Sequence, residues 1–184
     1  VAGMGADLFG SCAESTCAAM VISAVAFSGN TDALLFPILI SAIGIPVSLA
    51  ALLMVKVSSE EQVGPALKRM LIISSVIMAV VMYFVTMQMV PSTFDIAGQE
   101  YTNSGVYYCF LTGLVAGLLV GLMTEYYTSH AYAPVREVAQ SCETGTATNI
   151  IFGLALGYKS AVGPYLAIGL SIYIPWMLAG MYGV

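Results

Sequence analysis

An all-α, polytopic transmembrane bundle is the fold class this sequence predicts, and three observations carry it. Only 8% of the 184 residues are charged and 59% are hydrophobic, whereas a soluble domain carries roughly 25% charged residues. Mean hydropathy is +0.92. Five stretches are apolar over the roughly 20 residues a spanning helix needs. Too little polar side chain exists to cover a water-facing globule, so lipid is the main solvent.

The spans follow in order. The first covers about 7–28 and stops at Ser28-Gly29-Asn30-Thr31-Asp32, a turn rich in residues that bond their own backbone. The second covers about 33–55. It gives way to Val57–Lys68, where Ser58 stands three residues before Glu61 in the manner of a capping box, with Gly64-Pro65 behind it. The third, about 69–90, precedes a polar segment, Pro91–Ser104, that contains no basic residue. The fourth, about 105–126, carries Gly113, Gly117 and Gly121 at four-residue intervals and ends on Tyr126-Tyr127, the composition of an interfacial belt. Thr128–Thr148 reads as the longest polar loop. The fifth span, about 149–177, repeats the glycine spacing at Gly153 and Gly157, and residues 178–184 are placed to begin another helix. Rows of small residues let backbones approach in lipid, which suits intrachain packing or a dimer.

Basic residues set the orientation. Lys56, Lys68 and Arg69 flank the second loop and Arg136 lies in the fourth, while the first and third loops hold only Asp32, Asp95 and Glu100. By the positive-inside rule the second and fourth loops face the cytoplasm, so the chain starts there and its first helix runs outward. The start lacks a charged leader and a small-residue cleavage pattern, which excludes a signal peptide. Both ends read as cuts through a larger protein, with no flanking tail.

Several functions are excluded. The net charge of −5 comes from ten acids and five bases scattered along the chain, so no basic patch exists for nucleic acid. Cys12, Cys17, Cys109 and Cys142 lack the paired spacing of a zinc site and read as small hydrophobes. His130 stands by itself in a polar loop. Gly3-Met4-Gly5 has no strand before it and no full dinucleotide fingerprint.

Charged groups within spans need a reason, because each costs about 2.5–3.5 kcal/mol to insert. Asp7 and Glu14 are seven residues apart, two helical turns, so both project from one face with about 10 Å between them along the axis. Two acids at two depths suit a proton relay or cation path. The alternatives are an interfacial Asp7 and a Glu14 paired with a base on a helix outside this chain. Lys159, about 15 Å into the fifth span, either pairs with an acid or snorkels along Tyr158 to the interface. Glu125, beside the tyrosines, faces water or supports the site.

Three separated blocks resemble membrane-integral pyrophosphatases. Gly3–Ser11 with Ala13–Ala19 is similar to the sixth helix of that family, and Thr124–Ser129 with Tyr132–Val135 to the cytoplasmic loop after the ninth. Thr144–Ile151 with Gly153-Leu154-Ala155 is similar to the start of the tenth. The resemblance implies helices six to ten of a sixteen-helix homodimer that hydrolyses inorganic pyrophosphate with Mg2+ and moves a cation out of the cytosol. Only the first span would belong to its six-helix inner ring. Its Asp- and Lys-rich hydrolytic motifs would lie before residue 1 and beyond residue 184, so no catalytic or metal-binding residue is expected here.

Asp7 and Glu14 match the family's ion-gate acids. Sodium-pumping members typically carry the Glu three residues after the Asp, where this chain has Gly10, and plant-vacuole-like proton pumps carry it seven residues after. The resemblance therefore implies a proton pump of the K+-dependent type. In the mechanism it implies, pyrophosphate binding shifts the inner helices, and a proton passes from Asp7 to Glu14 for release outward. A sodium-pumping member, a secondary transporter or channel segment, and a purely structural bundle are the rival readings. No internal repeat supports the transporter.

Overall fold

The computed structural model describes residues 2–26, 31–55, 62–90, 92–96 and 99–184. The Ser58–Glu61 capping box, Lys56 and most of the turn at 28–32 lie outside them. Six helices run in order: α1 Ala2–Ala26, α2 Thr31–Met54, α3 Val63–Met89, α4 Asn103–Thr128, α5 Ala133–Ser141 and α6 Thr146–Gly183. A hairpin of β1 (Thr93–Ile96) and β2 (Gln99–Thr102) precedes α4. Among the described residues, five helical segments are long and apolar enough to cross a membrane.

The helices begin earlier than the hydropathy pattern suggests. α3 takes Gly64 and Pro65 into its first turn, because first-turn N–H groups have no intrahelical acceptor and a proline there loses nothing. Pro37 and Pro46 lie inside α2. The polar segment after α3 is no plain loop. Thr93 pairs with Thr102 and Asp95 with Glu100 in antiparallel register. The two-residue period of Thr-Phe-Asp-Ile is the sequence signal for that strand.

The chain divides into two compact units. The first comprises residues 1–111 and 174–184. Its core is Phe36, Met82, Val90, Val106, Cys109 and Ala179, with Ile40, Met78, Tyr101 and Tyr182 packed around it. α2 packs on both α1 and α3. The end of α6 closes this core by a break: Ala179 (φ −143°, ψ 20°) and Gly180 (φ 58°, ψ −141°) interrupt the helix. The residues expected to begin a new helix thus follow a sharp change of direction. Gly183 also needs its missing side chain, since a Cβ would lie 2.5 Å from the Pro175 carbonyl oxygen and 2.9 Å from Cys109 Sγ.

The second unit, residues 112–173, contains the rest of α4, α5 and most of α6. Its connecting segment is ordered where the sequence predicts only a polar loop. The Ser129 hydroxyl accepts from the Ala131 N–H at 3.3 Å, Arg136 Nε donates to the His130 carbonyl at 2.9 Å, and Pro134 sits in the first turn of α5. A 3-10 turn over Cys142–Thr144 leads to Gly145 at φ 125°, where the chain reverses into α6. Asn149 Nδ2 donates to the Val138 carbonyl at 3.4 Å and so ties the start of α6 to α5. The glycine rows are not used here: a Cβ at Gly113, Gly117, Gly153 or Gly157 would meet open space.

Gly180→Ala should lower the stability of the full-length protein. The left-handed φ costs an alanine about 1–2 kcal/mol, and the new Cβ would lie 2.7 Å from the Tyr101 hydroxyl. Thermal unfolding in detergent measures the loss. A Tyr101→Phe background, which removes the nearest atom, should recover part of it.

Candidate functional site

The site predicted from sequence lies on α1, a helix apolar on all sides whose polar groups therefore stand out. Its covered side is centred on Thr16 and Ser23. Thr16 Oγ1 lies 2.8 Å from Ser41 Oγ of α2, and Ser23 is 1% exposed, its hydroxyl donating to the Ala19 carbonyl at 2.9 Å. Thr16 and Ser15 hydroxyls both donate to the Cys12 carbonyl, at 2.8 and 3.0 Å. A hydroxyl that donates its proton back to its own helix keeps its lone pairs to accept from a neighbour. In lipid, such a pair is polar glue between helices.

Asp7 and Glu14 sit on the other side of α1. At 100° per residue, the two acids are about 20° apart around the axis and about 160–180° from Thr16. Both are exposed, and neither has a hydrogen bond or ion pair among the described residues. They form one acidic stripe two turns long, turned away from the helix that α1 packs against. No cover for Glu14 comes from the described residues of this chain.

Glu125 and Lys159 belong to the second unit. Glu125 is half-buried in the last turn of α4, beside an aromatic cluster. Tyr126 meets Tyr127 edge to face and Tyr132 at a tilt, each with 5.1 Å between ring centres. Lys159 is exposed and without a hydrogen bond or ion pair among the described residues. It lines a groove with Tyr126 and Tyr127 above Leu122, Met123 and Val162. α6 begins at Thr146, so Lys159 is about 20 Å along that helix, where it lies beside Tyr126 and Tyr127 of α4.

Among the described residues no three His, Cys, Asp or Glu side chains come together to hold a metal.

Comparison with known proteins identifies the family. The sequence profile described as inorganic H+ pyrophosphatase matches residues 1–184. The chain belongs to that family. Among curated relatives it is 34% identical over 179 residues to a K+-insensitive pyrophosphate-energised proton pump of Methanosarcina mazei, covering 97% of this chain and 25% of that protein. It is 32% identical over 192 residues to a candidate K+-stimulated pyrophosphate-energised sodium pump of Clostridium tetani, covering 100% of this chain and 27% of that protein. A second K+-insensitive proton pump, from Moorella thermoacetica, is 33% identical over 192 residues, covering 99% of this chain and 27% of that protein. The chain thus spans about a quarter of the length of these H+-pyrophosphatase relatives.

Sequence reasoning put Asp7 and Glu14 on one face of α1 but missed the Thr16–Ser41 pair on the opposite side. The available signal was two hydroxyls within apolar runs, where a polar side chain needs a partner. The groove around Lys159 was not foreseen, because it depends on the register of α4 against α6.

A double-mutant cycle on Thr16→Val and Ser41→Ala should give a coupling of about 0.6 kcal/mol in the unfolding free energy of the full-length protein. Additive losses would mean that the two hydroxyls do not hold α1 to α2.

Proposed function

We propose that the full-length protein containing this chain is a pyrophosphate-energised proton pump, hydrolysing one pyrophosphate with one water to two phosphates and moving protons across the membrane. One observation carries the part assigned to this chain. Asp7 and Glu14 lie on a single face of α1, two turns apart, unpaired among the described residues and opposite the Thr16–Ser41 contact with α2. A face aligned in this way needs an occupant that tolerates carboxylates, and the inner helices of a pump supply one. Lipid does not.

In this reading α1 is the gate helix. Pyrophosphate binding on the cytoplasmic side, where the chain would begin, moves the inner helices. A proton passes from Asp7 to Glu14, and the protonated Glu14 releases it on the far side. Mg2+ would be held by residues outside this chain, and the protein would work as a homodimer. Lys68 and Arg69 near the start of α3, and Arg136 on α5 between α4 and α6, support the cytoplasmic placement of the second and fourth connections.

The finer assignment is a proton pump of the K+-dependent, plant-vacuole-like type. Its support is the seven-residue Asp7–Glu14 spacing with Gly10 at the third position, and the likeness of Thr124–Val135 to plant-type members. The named relatives combine these properties differently: their proton pumps are K+-insensitive and the K+-stimulated one is a candidate sodium pump. Sodium pumping is accordingly the second reading, favoured by a match that covers the whole chain.

Glu14→Gln in the full-length protein, reconstituted in sealed vesicles, should abolish pyrophosphate-driven acidification or reduce it at least ten-fold relative to phosphate release. Acidification at the wild-type rate would overturn the gate assignment. Phosphate release that requires added Na+, with Na+ uptake in place of acidification, would establish the second reading. Phosphate release compared with and without K+ decides the K+ requirement.

A further inference from the structure

Glu14 stands two residues from the point where α1 meets its neighbour. Ser11 through Ser15 are exposed, whereas Thr16 is half-buried and Ser23, two turns further on, is sealed. The Thr16–Ser41 contact at 2.8 Å is the side-chain hydrogen bond that joins α1 to α2 among the described residues. α1 is apolar on all sides, and lipid tails offer an apolar surface the same contact at any angle. Apolar packing therefore sets no preferred rotation of this helix about its axis. A directional bond does. Resting on the pump reading above, we propose that Ser41 of α2 is a positioning residue for ion translocation. Its hydroxyl, bonded to Thr16, fixes the rotation of α1 and with it the placement of Glu14.

The bond has a direction. Thr16 donates to the Cys12 carbonyl at 2.8 Å, while Ser41 reaches the Pro37 carbonyl of its own helix at 3.3 Å. The proton of Thr16 is thus well used and that of Ser41 is not, so Ser41 donates across the seam and Thr16 accepts. The bond is also close to the acid it positions. Two residues are about 3 Å along the axis, against about 14 Å from Thr16 to Asp7. The turn between Thr16 and Glu14 is held by a second hydroxyl, since Ser15 donates to the same Cys12 carbonyl at 3.0 Å. Back-bonds of this kind bend helices, which makes the turn that presents Glu14 sensitive to what Thr16 meets. The leverage is large. Side chains end about 5–6 Å from a helix axis, so a slip of about 20° carries the Glu14 carboxylate about 2 Å. A hydrogen-bonded proton path tolerates only a few tenths of an ångström.

The test measures ion uptake and phosphate release by the full-length protein in sealed vesicles. Uptake is read as H+, or as Na+ if that is what the wild type moves. Ser41→Ala should lower the ratio of uptake to phosphate release about ten-fold, because a misplacement of about 1 Å can cost a transfer step on the order of a hundred-fold. Phosphate release itself should persist. Thr16→Val, which keeps the side-chain shape and removes the acceptor, should lower the ratio equally, and the double variant should fall no further. Ser41→Thr keeps the donor and should keep the ratio. Ser48→Ala, which deletes a hydroxyl that donates to the Gly44 carbonyl within α2, should leave the ratio unchanged. A seam that serves packing alone would lower protein yield, uptake and phosphate release together at a constant ratio. That result in Ser41→Ala and Thr16→Val would overturn the proposal and leave the pump reading standing, as would an equal loss of ratio in Ser48→Ala. A wild type that moves no ion on adding pyrophosphate would overturn the pump reading and the role of Ser41 with it.

Discussion

In hydrocarbon no water is present to bond a free N–H or C=O, and each unsatisfied group costs several kcal/mol. That constraint governs this chain. It explains why nearly every long apolar run is helix, and why the exceptions are where they are. The β1–β2 hairpin satisfies its own backbone by pairing. The break at Ala179-Gly180 lies within the buried core of its unit. α5 and its 3-10 turn occupy the most polar connection. Among the described residues, irregular backbone lies where something else can pair with it or cover it, or in the most polar connection.

The same scarcity of polar partners gives the few polar side chains their roles. On α1, hydroxyls and carboxylates are segregated. Thr16 meets Ser41 on one side, and Asp7 and Glu14 share the other. Hydroxyls are weakly polar and can bond back to their own helix, so they tolerate a helix–helix seam. Carboxylates cannot satisfy themselves in that way. A helix that puts its acids directly opposite its packing seam has one side for contact with α2 and leaves the other to its carboxylates.

Much of this was legible in the residues. The fold class follows from charge scarcity and run length, because spanning helices are dictated by local composition and need no tertiary information. The common face of Asp7 and Glu14 follows from helical periodicity. The hairpin was hidden because its strands are four residues each, too short for hydropathy to distinguish them from a polar loop. The glycine rows leave their partner undecided for a different reason. Four-residue spacing shows that close approach is sterically allowed, but Gly113, Gly117, Gly153 and Gly157 have nothing near them, since spacing says nothing about which partner arrives.

The sequence alone determined that the chain is a set of membrane helices and that two acids share one face of the first. These properties belong to single helices, where 1.5 Å of rise and 100° of turn per residue convert spacing into geometry. Tertiary structure alone decided which side of α1 is seam and which is free, and that Lys159 lies beside Tyr126 and Tyr127. Both depend on one helix's register against another, α1 against α2 and α4 against α6. Register comes from side chains meeting across a gap, and no periodicity within one segment encodes it.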